Sequence, residues 1–279
     1  MNNLPISVII TTYNDAGYLA QAIESVLEQT QPPKQLIIVD DGSESYMSKV
    51  ISHRYINNNF NIQIEYYRKD NGGASSARNL GLKHVSQPYT TFLDADDQLL
   101  SDSLEKRYKE LSLLEDNYFG VYGSAVTTEG PNQNFVDFDG NAPPHMVGDF
   151  NQGIPGGCYY YLFRTQALKE IGYLDEKLSH NEDFDFIIRL LKTGMYCKGS
   201  VGYTHQVTIR ENSLSRDLNY EKVFNGIMAF LDKAEKESYF DHAHLKKRRK
   251  YAHLFLAKRT LKKRPLYAVK HILLSVKYL

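Results

Sequence analysis

Leu36-Ile37-Ile38-Val39 runs without a break into Asp40-Asp41-Gly42-Ser43. A run this short and apolar at every position reads as a strand buried on both faces, closed abruptly by turn residues. Upstream, Ser7-Val8-Ile9-Ile10-Thr11 has the same character and ends in Thr12-Tyr13-Asn14. Between them Leu19, Ile23, Val26 and Leu27 recur at helical spacing, and Pro32-Pro33 stops that helix. Strand, helix and strand in this order predict a βαβ unit with parallel strands.

Downstream the alternation continues. Residues 62–67 read as a third strand, 73–85 as a helix, Thr90-Thr91-Phe92-Leu93 as a fourth strand running into Asp94-Ala95-Asp96-Asp97, 101–114 as a helix and 119–125 as a fifth strand. The expected fold is α/β, a mostly parallel central sheet flanked by helices. Residues 128–156 are rich in Gly, Pro, Asn and Asp and read as a long loop, of a length that is often functional. Order resumes at Tyr159-Tyr160-Tyr161-Leu162-Phe163, followed by helices near 165–171 and 183–191. After Asp217 the chain becomes helical and then basic, which sets an expected boundary between 1–216 and 217–279.

Composition narrows the possibilities. With 279 residues and 42% hydrophobic content the chain can bury one large core, with or without an appendage. Its formal charge is zero, so the total favours no partner, but 242–279 holds twelve Lys or Arg and no Asp or Glu. Cys158 and Cys197 give neither a metal spacing nor a disulfide framework and suit a reducing compartment. The start, Met-Asn-Asn-Leu-Pro, lacks the regions of a signal peptide, and no apolar run approaches the roughly 20 residues of a membrane span. The expectation is a cytoplasmic protein.

In open α/β sheets ligands bind beyond the carboxyl ends of the strands. Three strands deliver polar groups there: Thr12-Tyr13-Asn14, Asp40-Asp41 and Asp94-Ala95-Asp96-Asp97. Each cluster alone is an ordinary turn or helix cap. Two acidic clusters on one rim repel unless a cation or donors lie between them, which favours a site. Alternation along an extended Asp94-Ala95-Asp96 puts two carboxylates on one side, suited to magnesium or manganese with phosphates completing the shell; the alternative is a cap for the following helix. Asn71 to Gly81 is rich in glycine and small residues at a helix start, where amides can meet an anion; Arg78 would hold a phosphate or order the acidic rim. This stretch is neither a phosphate-binding loop nor a GxGxxG turn, so the nucleotidase and dehydrogenase readings fall. Asn181-Glu182-Asp183-Phe184-Asp185 puts three carboxylates at a helix start, as dipole complements or as a general base.

In this order and spacing, Ser7 to Asn14, Ile38 to Ser43, Asn71 to Gly81, Asp94 to Asp97 and Glu182-Asp183 resemble glycosyltransferase family 2, inverting enzymes of the GT-A fold, over residues 4–216. The resemblance implies a nucleotide-sugar half near 1–127 and an acceptor half near 128–216. It implies that Thr12, Tyr13 and Asp41 hold the base, usually uracil of a UDP-sugar. Arg78 would reach base or phosphates, Asp94 the ribose, and Asp96 the Mn2+ or Mg2+ on the diphosphate. Asp183 would be the catalytic base. Gly156 and Gly157, with Glu182, fall where members meet donor sugar and acceptor, a glycan or lipid-linked glycan in bacterial surface polysaccharide assembly. Asn212-Ser213-Leu214-Ser215 resembles a mobile loop, and Arg210 stands where members often carry His.

Two rivals remain. A non-catalytic binding module is expected to lack Asp94, Asp96 or Asp183, and a sugar nucleotidyltransferase to carry a basic glycine-rich loop where Thr12-Tyr13-Asn14-Asp15 stands. In 242–279, Leu254, Phe255 and Leu261 form one apolar stripe and Leu266, Val269, Ile272, Leu273 and Val276 another, among basic runs. Such a segment reads as an anionic membrane contact, or as solvated packed helices. No nucleic-acid motif accompanies the charge, so no nucleic-acid partner is expected.

Overall fold

A computed structural model describes residues 3–58, 60–138, 155–210 and 219–278. In chain order the elements are β1 (Leu4–Thr12), α1 (Ala16–Leu27), β2 (Pro33–Asp40), α2 (Met47–Ile56), β3 (Gln63–Arg68), α3 (Ala74–Lys83), β4 (Tyr89–Asp94), β5 (Gln98–Leu99), α4 (Ser103–Ser112), β6 (Tyr118–Glu129) and β7 (Asn132–Val136). A 3-10 turn (Cys158–Tyr160) precedes β8 (Tyr161–Arg164), α5 (Thr165–Glu170), α6 (Glu182–Lys192), β9 (Tyr196–Thr208), α7 (Tyr220–Lys236), α8 (His242–Thr260) and α9 (Pro265–Val276).

The strands lie in the order β3-β2-β1-β4-β8-β6-β9-β5, with β7 paired to β6. The first four are parallel, as their apolar runs predict. Beyond β4 the sheet becomes mixed, because β8 runs antiparallel to both β4 and β6. Alternate residues of β1 feed two layers: Val8 and Ile10 join Leu19, Ile23 and Val26 of α1 in one fully buried cluster. Each of those three α1 side chains contributes roughly 1.5–3 kcal/mol by leaving water. On the other face α3 comes so close to β1 that a Cβ at Gly81 would lie 2.5 Å from Ile9 Cγ2.

Three elements depart from expectation. The supposed loop 128–156 begins as a hairpin: β7 pairs with β6 across a two-residue turn at Gly130-Pro131. Its Asn-Gln-Asn composition hides a strand that is mostly exposed. Residues 139–154 of that segment, and Asn212 to Ser215, lie outside the described residues. Helix α2 turns Ser48, Ile51 and Ser52 inward and so carries no apolar stripe to read. The long strand β9, with Lys198, Gly199 and Thr204 among its residues, was equally unmarked.

The chain divides into two compact units, one of 1–176 with 186–209 and one of 177–185 with 210–279. Within the second unit, Asn219 and Asp241 cap α7 and α8 through their side chains. Arg249 joins Asp232 and Glu235 at 2.8 Å each. Among the described residues no helix is long and apolar enough to cross a membrane.

Candidate active site

The carboxyl ends of β1, β2 and β4 are brought level by their register. Thr12 pairs with Asp40 and Thr11 with Asp94, so the polar residues after each strand emerge along one edge. Lys69 and the glycine-rich start of α3 follow β3 at the same edge.

Asp40 and Asp41 have different tasks. Asp40 is fully buried; it accepts the Ser43 N–H at 2.7 Å and the Tyr66 hydroxyl at 2.9 Å, with Arg68 at 3.7 Å. Asp41 is 4% exposed and accepts from Lys69 Nζ at 2.8 Å and from the N–H groups of Gly72 at 3.0 Å and Gly73 at 2.7 Å. The amides before α3 therefore hold an anion, and that anion is the protein's own carboxylate. These bonds leave one lone-pair direction on Asp41 Oδ2. Glycine is required on both sides of the contact. Gly73 has φ +87°, and at Gly42, φ +80°, a Cβ would lie 2.6 Å from Asn71 N.

Arg78, 4% exposed on α3, places Nη2 2.9 Å from Asp94 Oδ1, which also accepts from the Thr11 hydroxyl at 3.3 Å. Of its two expected tasks, ordering the acidic rim is the one this geometry displays. Asp94-Ala95-Asp96 is not an extended segment: an N–H of Asp97 bonds back to the Asp94 carbonyl at 3.0 Å and makes a turn. Nor does the cluster cap α4, whose N-cap is Asp102. Asp97 is pinned to β9, accepting the Thr208 N–H at 2.8 Å. Asp96 is half-buried at the tip of that turn.

Thr12 is buried, and its hydroxyl has no hydrogen-bond partner among the described residues. Tyr13 next to it is 46% exposed. A buried hydroxyl without a partner beside an exposed aromatic ring suits a planar, polar ligand. Gly156 is exposed and Gly157 half-buried, just before the 3-10 turn that carries Tyr159 and Tyr160. The Tyr159 hydroxyl is pushed well up, first by burial, then by Tyr160 and the charges of Asp94 and Asp97. It stays protonated as a donor near the acidic turn.

In the second unit the three carboxylates at the start of α6 separate. Asp185 is fully buried and accepts from Lys233 Nζ and the Tyr239 hydroxyl, both at 2.8 Å. Asp183 and Glu182 are half-buried, as is Arg210. Phe184 packs against Phe230 and Phe240, with the Arg248 guanidinium 5.3 Å from its ring centre.

Several residues escaped the sequence reading. Lys69 was legible as a polar group after a third strand, had the rim rule been applied to β3. Arg107 and His205 carry no such signal. Arg107 is fully buried, bonded to Thr91 and Ser103, and burial lowers its pKa to about 9.

A divalent cation is a matter of donor chemistry. Among the described residues no three His, Cys, Asp or Glu side chains gather for a metal. Magnesium and manganese bound to a diphosphate need only one or two carboxylates, so Asp96 at the tip of the turn fits that demand.

The model of glycosyl transferase family 2 matches residues 7–165, more than half of the chain. The chain belongs to glycosyl transferase family 2. A glycosyltransferase of Haemophilus influenzae is 30% identical over 211 residues, which span 74% of this chain and 78% of that one. Some family relatives are much longer; the chain spans 31% of the length of a Rickettsia felis glycosyltransferase. Among solved structures, the mannosyltransferase PcManGT of Pyrobaculum calidifontis, in complex with GDP-Man and Mn2+, has TM-score 0.66 at 14% identity, over 99% of this chain and 76% of that one. S. aureus TarS in complex with UDP-GlcNAc has TM-score 0.64 at 16% identity, over 98% and 79%. At these identities the likeness is one of fold, the α/β GT-A fold. The family 2 protein is thus an enzyme, a glycosyltransferase.

Proposed function

We propose that this family 2 enzyme moves a sugar from a nucleotide-sugar, a UDP-sugar in the first instance, to an acceptor hydroxyl with inversion, in bacterial surface polysaccharide or glycan assembly. The acceptor would be a glycan or a lipid-linked glycan. The level register that sets Thr12, Asp41 and Asp94 along one edge carries the reading. It is supported by the nucleotide-sugars bound to TarS and PcManGT.

In this reading Tyr13 packs on the base while Thr12 and the remaining lone pair of Asp41 bond its edge. Asp94, steadied by Arg78, takes the ribose. Asp96 would hold Mn2+ or Mg2+, which when bound supplies positive charge at the diphosphate. By the family resemblance Gly156, Gly157, Glu182 and Arg210 would meet the donor sugar and acceptor, and Arg210 would serve a diphosphate as well as a His. Asp183 takes the proton of the acceptor hydroxyl. The acceptor oxygen bonds to the anomeric carbon as the bond to the diphosphate breaks, and that electron pair leaves with the diphosphate. One base suffices for this displacement.

Incubating the protein with a panel of UDP- and GDP-sugars and manganese tests it. One donor should release nucleoside diphosphate slowly, and with water as acceptor an α-linked donor should give the β-anomer of the free sugar first, seen by proton NMR. Release of pyrophosphate from a sugar phosphate and a nucleoside triphosphate would make it a nucleotidyltransferase. Tight nucleotide binding without turnover of any donor would make it a binding module.

A further inference from the structure

Helix α9 turns its small residues inward and its large ones outward. Ala268, His271 and Ser275 are its buried positions, while Leu266 is 87% exposed, Leu273 66%, and Val269, Ile272 and Val276 are exposed beside them. At about 100° per residue these five occupy one arc of roughly 120°, the width of stripe that ordinarily faces a core. The stripe expected on α8 is different: Leu254 and Phe255 are half-buried, with Phe255 against Tyr220. Leu261, the third of that stripe, is 50% exposed just past the end of α8, while the open arc of five side chains is that of α9.

Charge surrounds this arc. Lys262 and Lys263 precede the helix and Lys270 and Lys277 border the arc on one side, all exposed. Arg264 is engaged with Glu221 and lies 4.1 Å over the Tyr267 ring. From 242 to 279 there is no carboxylate. A second copy docking through the same face would bring cation against cation. A neutral protein groove would leave the bordering lysines without counter-charge. An anionic bilayer draws the lysines to its phosphates while the side chains enter its acyl boundary.

We propose that the exposed face of α9 is an interfacial anchor that lays the enzyme on an anionic membrane surface. The proposal is independent of the donor and of the transfer chemistry. Its test is sedimentation of the whole protein with vesicles of phosphatidylcholine, alone or with one third phosphatidylglycerol. The protein should pellet with the anionic vesicles at low salt. It should be released at about 1 M salt, where the Debye length is roughly 3 Å. Lys262→Ala with Lys263→Ala should weaken binding about twenty-five-fold, at about fivefold per cation. Leu266→Ser with Leu273→Ser should weaken it at least about tenfold. Both double variants should keep the parent melting temperature, because the side chains removed face solvent. Protein left in the supernatant at low salt, equal binding to neutral vesicles, or variants that bind like the parent would overturn the proposal. So would early melting of the leucine variant, or a dimer that it splits.

Discussion

Arg78 Nη2 lies 2.9 Å from Asp94 Oδ1, the guanidinium buried and the carboxylate partly open to solvent. A fixed cation behind an acidic turn lets the turn stay rigid when no ligand is present. Arg78→Ala leaves Asp94 with like-charged neighbours and should cost about 1–3 kcal/mol of stability. It should also weaken nucleoside diphosphate binding. Arg78→Lys keeps the charge without the planar fork and should fall between. Thermal melts beside titration calorimetry check both, and an Ala variant indistinguishable from the parent in each would sink the idea.

Asp96→Ala removes a half-buried side chain at the tip of a turn. The melting temperature should barely move. Calorimetry of UDP with manganese should lose most of its affinity, and UDP without manganese should be unaffected. Metal-dependent affinity that survives the substitution would move the cation elsewhere.

Asp183 and Asp185 should separate cleanly although two positions apart. Asp183→Asn should keep fold and donor affinity while transfer falls by roughly two to four orders of magnitude. Asp185→Asn strands Lys233 in a buried pair and should cost on the order of 3–5 kcal/mol. Full turnover in the Asp183 variant would pass the role of base to Glu182.

Acid should loosen the protein through its buried histidines. Burial, with Arg107 adding to it, holds the His205 imidazole well below its ordinary pKa. Burial likewise lowers His253 and His271, whose Nδ1 atoms are 2.9 Å apart, a bond that needs one of the two nitrogens unprotonated. Unfolded, each titrates near about 6.5. As pH falls through that value the unfolded chain takes up protons that the folded one refuses, so stability drops. The slope is at most about 1.4 kcal/mol per pH unit for each histidine. The melting temperature should be level from pH 8 to 7 and decline below about 6.5, less steeply in His205→Asn. An unchanged slope in that variant would remove His205 from the account.

The parallel half of the sheet was legible because its signal is local. Val8, Ile10 and Ile38 are apolar wherever they are met, and four strands, two flanking helices and the acidic rim followed from such runs. What escaped depends on distant partners. Nothing near Asp41 announces that Lys69 and two glycine amides will take it. Nothing near Asp185 announces Tyr239, 54 positions on. The extended reading at Asp94 fails because alternation needs a strand that runs to Asp96, and β4 ends at Asp94, two residues earlier. Strand β7 was lost in the composition of a loop, and α2 because serines face its interior.

The second unit takes 177–185 from the middle of the chain and 210–279 from its end. Genetic exchange between such enzymes therefore has an awkward grammar. A single crossover near 217 would import foreign helices against a native Asp185 and Phe184, orphaning an ion pair and an aromatic stack at one stroke. Three coordinated crossovers, near 177, 186 and 210, would transplant both segments intact, and with them the helix turn that bears Asp183. Folded hybrids should accordingly arise from triple exchanges, while single-crossover hybrids should emerge as insoluble protein.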